Sequence, residues 1–143
     1  MTPQKCALQL TVVGYGFIIF GLIWVTTAFP AFDGPGRFLI DLLDWPLDGL
    51  PNNPSPEARW MAAIGAGLTC GMGFMFTHIF APILRMNDPQ TGKVVKRGAL
   101  LGVFAWYIVD GAGSISAGAP PNVVFNSVFL LLIAVPLLMT KFD

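Results

Sequence analysis

The sequence predicts an all-α integral membrane protein with four antiparallel transmembrane helices and a short interfacial amphipathic helix in the first outer loop. Of its 143 residues, 55% are hydrophobic and only 11% are charged, less than half of the roughly 25% charge usual in soluble domains. The charges also leave long uncharged stretches, such as residues 6–32 and 60–84. Because a spanning helix needs roughly 20 apolar residues, we interpret residues 1–143 as one transmembrane domain.

The four spans are predicted at residues 7–29, 60–84, 98–117 and 123–140. The first uncharged stretch is too long for the apolar core of a cleaved signal peptide, so we retain it as a span. The second lies between Arg59 and Arg85. Pro120, Pro121 and Asn122 divide the last apolar region into the third and fourth spans.

The placement of lysine and arginine predicts the orientation of the chain. The outer loop, residues 30–59, contains only two basic residues, Arg37 and Arg59. The remaining basic residues lie near the two chain ends or between spans two and three: Lys5, Arg85, Lys93, Lys96, Arg97 and Lys141. By the positive-inside rule, both termini are predicted to be cytoplasmic, in a multi-pass protein of a bacterial inner membrane.

The outer loop contains an amphipathic segment. Asp41, Asp44 and Asp48 recur at spacings of three and four residues, which is typical of one helix face. The opposite face and its end are apolar: Phe38, Leu39, Leu42, Leu43 and Trp45. We predict an interfacial helix here, either as a connector that covers the bundle or as a docking surface for a partner. Ser55 and Pro56 then mark the start of the second span.

Glycines recur within the predicted spans. The pairs Gly67 and Gly71, and Gly98 and Gly102, have the four-residue spacing that lets helices approach closely in lipid. The spacing predicts tight packing without identifying the partner helix. The remaining apolar faces are available to lipid, quinone, pigment or other membrane subunits.

Asp110 is the most informative polar residue, because an ionisable group within a span is costly and marks a candidate functional site. Ser114 lies one helical turn further on, and Asn122 and Asn126 follow the Pro120–Pro121 turn at the same level. We therefore predict an intramembrane polar cluster of these four residues. It is either a hydrogen-bonded clasp between two helices or a site for a small ligand or proton.

The other chemistry-bearing residues are sparse. His78 is the one histidine, and a neutral imidazole in a span can be an axial haem or chlorophyll ligand. Phe74, four residues earlier, disfavours this role because pigment-binding helices usually place a small residue there. Cys6 and Cys70 form no CxxC pair. We predict no catalytic residue, metal site or bound cofactor.

These observations predict a non-enzymatic accessory or assembly subunit of a larger membrane complex. An energy-converting complex, photosynthetic or respiratory, is the most plausible host. Its partners are expected to be other membrane subunits and lipids, and the balanced charge of eight basic and eight acidic residues argues against nucleic acid. The alternatives are a small transporter or channel component, or a membrane enzyme on a lipid-soluble substrate, each using Asp110.

Overall fold

A computed structural model describes residues 1–49 and 53–142, and all the regular structure in these ranges is helical. The six α-helices of this part are α1 (Pro3–Trp24), α2 (Gly34–Asp44), α3 (Pro56–Met75), α4 (Ala81–Arg85), α5 (Pro89–Ser116) and α6 (Pro120–Met139). A 3₁₀ turn, Val25–Ala28, extends α1, and a π-helical turn, Phe76–Phe80, joins α3 to α4.

Four helical stretches are long and apolar enough to cross a membrane. They are Pro3–Ala28, Pro56–Arg85, Pro89–Ser116 and Pro120–Met139. The prediction of an all-helical chain with four such helices is therefore confirmed for the described residues.

Local capping moves the helix starts outward from the predicted span boundaries. The predicted start at Ser55 and Pro56 is confirmed, since the Ser55 hydroxyl accepts a hydrogen bond from the Ala58 N–H at 3.2 Å. The sequence predicts the third helix from residue 98, after a turn at residues 87–92, but the helix begins at Pro89. Asp88 caps it by accepting a 2.7 Å hydrogen bond from the Thr91 N–H. Hydropathy detects only the apolar part of this helix, whereas a capped first turn can be polar.

Thr77 and Pro82, on either side of His78 in the sequence, predict a loosened helix end. That prediction is wrong, because the backbone passes through the π-helical turn into α4. Pro82 has no N–H to donate to the carbonyl of His78, four residues earlier, and a π-bulge is one way in which a helix absorbs such a gap.

Helix α1 lies at the centre of the bundle, where it packs against α3, α4 and α6, while α5 packs mainly against α6. The closest helix crossing is between α1 and α3. A Cβ atom added to Gly73 would lie 2.5 Å from the carbonyl oxygen of Gly14 and 2.8 Å from Cγ1 of Ile18. Only glycine at residue 73 allows the two backbones this approach.

Both chain ends lie at one end of the bundle, which we call the termini end. The amino group of Met1 donates to the carbonyl of Met139 at 2.9 Å. The ammonium group of Lys96 donates to the carbonyls of Leu138 and Thr140 at 3.2 and 2.9 Å. The N-terminal parts of α1 and α5 therefore lie beside the C-terminal end of α6 there.

Helix α2 folds back onto α1, the 3₁₀ turn and α6. Arg59 holds this arrangement, because its guanidinium donates to the carbonyl of Thr27 at 2.7 Å and to Asp33 Oδ2 at 3.0 Å. Of the predicted interfacial residues, Leu39, Leu42 and Leu43 are partly buried, while Phe38 is exposed. Trp45 is also exposed and follows the last residue of α2. Residues 50–52 of the predicted outer loop lie outside the described ranges.

Candidate functional site

Asp110, Ser114, Asn122 and Asn126 form one hydrogen-bonded cluster between α5 and α6. The Asn122 amide donates to Asp110 Oδ2 at 3.2 Å and to the Ser114 hydroxyl at 2.9 Å. The Asn126 amide donates to the same Asp110 oxygen in a short hydrogen bond. The structure thus brings together the four residues singled out in the sequence.

The turn between α5 and α6 explains this geometry. Asp110 and Ser114 are one turn apart on α5, and Asn122 and Asn126 are one turn apart on α6, so each pair shares a helix face. The chain reverses through Gly118, whose φ of +82° is in the left-handed region that favours glycine. Since α6 begins directly after this turn, at Pro120, the two polar faces meet.

Asp110, Asn122 and Asn126 of the cluster line a cavity of about 380 Å³, which we call the Asp110 cavity. This volume lies at the lower end of the roughly 300–1,000 Å³ typical of small-molecule sites. Ile40, Leu43 and Asp44 of α2 cover the cavity, and Thr69 and Met72 of α3 form another part of its wall. Helix α2, expected from the sequence as an interfacial connector or docking surface, therefore also contributes to a candidate ligand site.

Aromatic side chains line the apolar part of the Asp110 cavity. Consecutive ring centroids lie 4.9–6.2 Å apart along a continuous series. In order, its members are Trp106, Phe17, Phe129, Phe20 and Trp24. The sequence analysis did not single out these rings, although one signal was present: Trp106 precedes Asp110 by four residues, and Phe129 follows Asn126 by three.

The chemistry available in the Asp110 cavity is limited. Its described lining residues contribute two carboxyl groups, from Asp44 and Asp110, and two amides, with no histidine, cysteine, lysine or arginine. The sequence analysis did not expect Asp44 to share a site with Asp110. Such a lining can hold a ligand by charge, hydrogen bonds and ring contacts, but it offers no activated nucleophile.

A second feature is a groove between α3 and α5, which we call the glycine groove. It has a volume of about 460 Å³ and is lined by glycines and apolar side chains. Gly67, Gly71, Gly98 and Gly102 all line it, and a Cβ atom added to any of them would meet nothing within 4 Å. The residues predicted for helix packing thus face open space in this chain, whereas Gly14, Gly21 and Gly73 make the close approaches between α1 and α3.

The remaining candidates are separate from both features. His78 is exposed, and its ring stacks on Phe74 with a centroid distance of 5.6 Å. The described residues include no group of three or more His, Cys, Asp or Glu side chains that could hold a metal ion. A weak axial-ligand role for His78 stays a prediction.

Comparisons of the chain with protein-family models, with curated proteins and with solved structures found no match. The functional assignment therefore depends on the geometry described above.

Proposed function

We propose that this chain is a non-enzymatic accessory or assembly subunit of a larger membrane complex, and that the glycine groove receives a transmembrane helix of a neighbouring subunit. The main support for this proposal is that four glycines at helix-pairing spacing line a groove that no helix of the described chain fills. Helix pairs in lipid associate through close packing at small residues.

The apolar lining of the glycine groove suits a helix better than a water-soluble partner. Met72, Met75 and Phe80 line it together with the glycines. Met side chains adapt readily to the shape of a partner. An apolar helix with small or medium side chains would gain packing contacts here that lipid chains, which are mobile, supply less well.

The charge distribution supports the proposed topology. Six basic residues lie near the chain ends, on α4 or in the first third of α5, and the other two are Arg37 on α2 and Arg59 at the start of α3. We infer four antiparallel spans with the termini end in the cytoplasm of a bacterial inner membrane. An energy-converting complex, photosynthetic or respiratory, remains the proposed host, and lipid, quinone or pigment can cover the other apolar faces.

The test is migration of the tagged protein, extracted from its native membrane in mild detergent, on a native gel. Wild-type protein should migrate in a complex that contains other polypeptides. The variant G71L/G102L places two branched side chains in the groove, at positions where an added Cβ atom meets nothing within 4 Å, and it should migrate as the free chain. The matched control is G16L, at an exposed and equally open glycine of α1, which should stay in the complex.

Three results would contradict this proposal: wild-type protein that migrates alone, a complex made only of copies of this chain, or normal assembly of G71L/G102L. The absorption spectrum of the wild-type complex, read across the visible and near-infrared, distinguishes a pigment–protein host from a cytochrome-containing one.

An alternative function is that the chain transports a lipid-soluble molecule, or acts on one as an enzyme, through Asp110. One observation favours it, the ligand-sized Asp110 cavity. D110N separates the two candidates. A subunit should assemble normally, because asparagine can keep hydrogen bonds to α6, whereas a proton-coupled transporter or an acid–base enzyme should lose activity.

A further inference from the structure

The Asp110 cavity is acidic without an opposing charge. Asp110 lies on its wall and Asp44 at its α2 side, and none of the described residues that line it is basic. Both amide hydrogen bonds to Asp110 come from neutral asparagines. A carboxylate within an apolar bundle is stabilised most strongly by a nearby positive charge, so this lining favours a cationic ligand over an anionic one.

The aromatic series is the second feature of the cavity, beside its carboxyl groups, that suits a cation. The Phe17 ring contacts the rings of Trp106 and Phe129, at centroid distances of 6.2 and 4.9 Å, and all three rings line the cavity together with Asp110. The negative face of an aromatic ring attracts an organic cation, most strongly when water is excluded. The same rings hold an apolar ligand body, which a hydrated metal ion lacks.

We propose that the Asp110 cavity binds a lipid-soluble organic monocation, such as a hydrophobic amine or quaternary ammonium compound. Its charged group lies against Asp110 and the tryptophan and phenylalanine rings. Its apolar body occupies the space beneath Ile40 and Leu43 of α2.

Other ligand classes fit the cavity less well. An anion would be repelled by Asp44 and Asp110. A neutral ligand would leave the Asp110 carboxylate without a counter-charge.

Binding can be tested on the purified chain in non-ionic detergent with benzyltrimethylammonium as the probe. Its neutral isostere, neopentylbenzene, has the same shape without the charge. Titration calorimetry should give saturable binding of the cation, and Trp24 and Trp106, which line the cavity, should report it by a change in fluorescence. The neutral isostere at equal concentration should compete poorly.

Charge removal provides the decisive comparison. D110N should weaken cation binding by at least about tenfold, since it removes the carboxylate charge that attracts the bound cation in a partly shielded site. D44N tests the second cavity carboxyl, should weaken binding less, and keeps the proposal testable if D110N does not fold. The matched control is D48N, an exposed acid that follows α2 outside the cavity lining, which should bind like wild type.

Absence of saturable cation binding, equal binding to wild type and a folded D110N, or equal competition by neopentylbenzene would overturn the proposal. Cation binding uses the same cavity as the alternative function, but it is an equilibrium measurement on the isolated chain. It can therefore fail or succeed independently of transport, of catalysis and of assembly through the glycine groove.

Discussion

The close crossing of α1 and α3 gives the sharpest stability prediction, through the substitution Gly73→Ala. The new methyl carbon would lie 2.5 Å from the Gly14 carbonyl oxygen and 3.0 Å from the Ile18 nitrogen. Both atoms belong to backbone in the middle of α1, so neither can rotate away. The helices must separate by roughly 0.5–1 Å to restore ordinary contact, and a gap of this size weakens many neighbouring contacts.

Two effects of opposite sign determine how much Gly73→Ala changes the free energy of unfolding. Alanine stabilises a helix by about 1 kcal/mol relative to glycine, whereas overpacking a close interface costs about 1–3 kcal/mol. Gly67→Ala is the matched control, because Gly67 lies on the same helix and an added Cβ there meets nothing within 4 Å. Since the gain in helix propensity is common to both variants, G73A should be about 1–3 kcal/mol less stable than G67A.

The assay is reversible unfolding in mixed micelles of non-ionic detergent and dodecyl sulfate, followed by helical circular dichroism and tryptophan fluorescence. The free energies of unfolding of wild type, G67A and G73A are compared under one condition. If G73A and G67A agree within about 0.5 kcal/mol, the usual limit for independent sites, the argument from the Gly14–Gly73 contact is wrong.

The remaining predictions concern Asp110 and Asp88. N126L removes an amide donor from Asp110 and should lower the free energy of unfolding by about 1–3 kcal/mol. The double variant D110L/N126L should lose clearly less stability than the sum of the two single variants. If the losses in the same unfolding assay are additive, the two side chains do not form a clasp. Hydrogen bonds from the Thr91 side chain and backbone lower the pKa of the exposed Asp88. A carboxyl whose pKa is lower in the folded state adds stability above its unfolded pKa and loses it as the pH falls through the folded pKa. Wild type should therefore lose more stability than D88N over this acidic range, and parallel pH profiles would refute the assigned cap.

The candidate site shows how far local sequence reasoning extends. Asp110 and Ser114, and Asn122 and Asn126, are each one helical turn apart, and a short turn lies between the two pairs. Their proximity followed from helix periodicity and chain connectivity. Asp44 could not be added in this way, because its place in the cavity depends on the path of the chain between α2 and α3 and on the contacts of α2 with α1 and α6.

The glycines show the same limit in the packing of the bundle. Spacing identified Gly67, Gly71, Gly98 and Gly102, yet they line an open groove. The close backbone approach between α1 and α3 instead joins Gly14 and Gly73, which are far apart in the chain. A four-residue spacing shows that a helix face can be approached closely, but it carries no information about the partner.

The sequence by itself determined the all-helical class, the four long apolar helices and the segregation of basic residues, because hydropathy, helix periodicity and charge are properties of neighbouring residues. The structure shifted the helix boundaries through caps such as Asp88 and through the π-helical turn. Only the tertiary structure decided which helix faces meet, which glycines remain open, and that an aromatic series and two carboxyl groups enclose one cavity. These features depend on how the helices rotate and cross relative to one another. That arrangement is determined by contacts between side chains that are distant in the sequence.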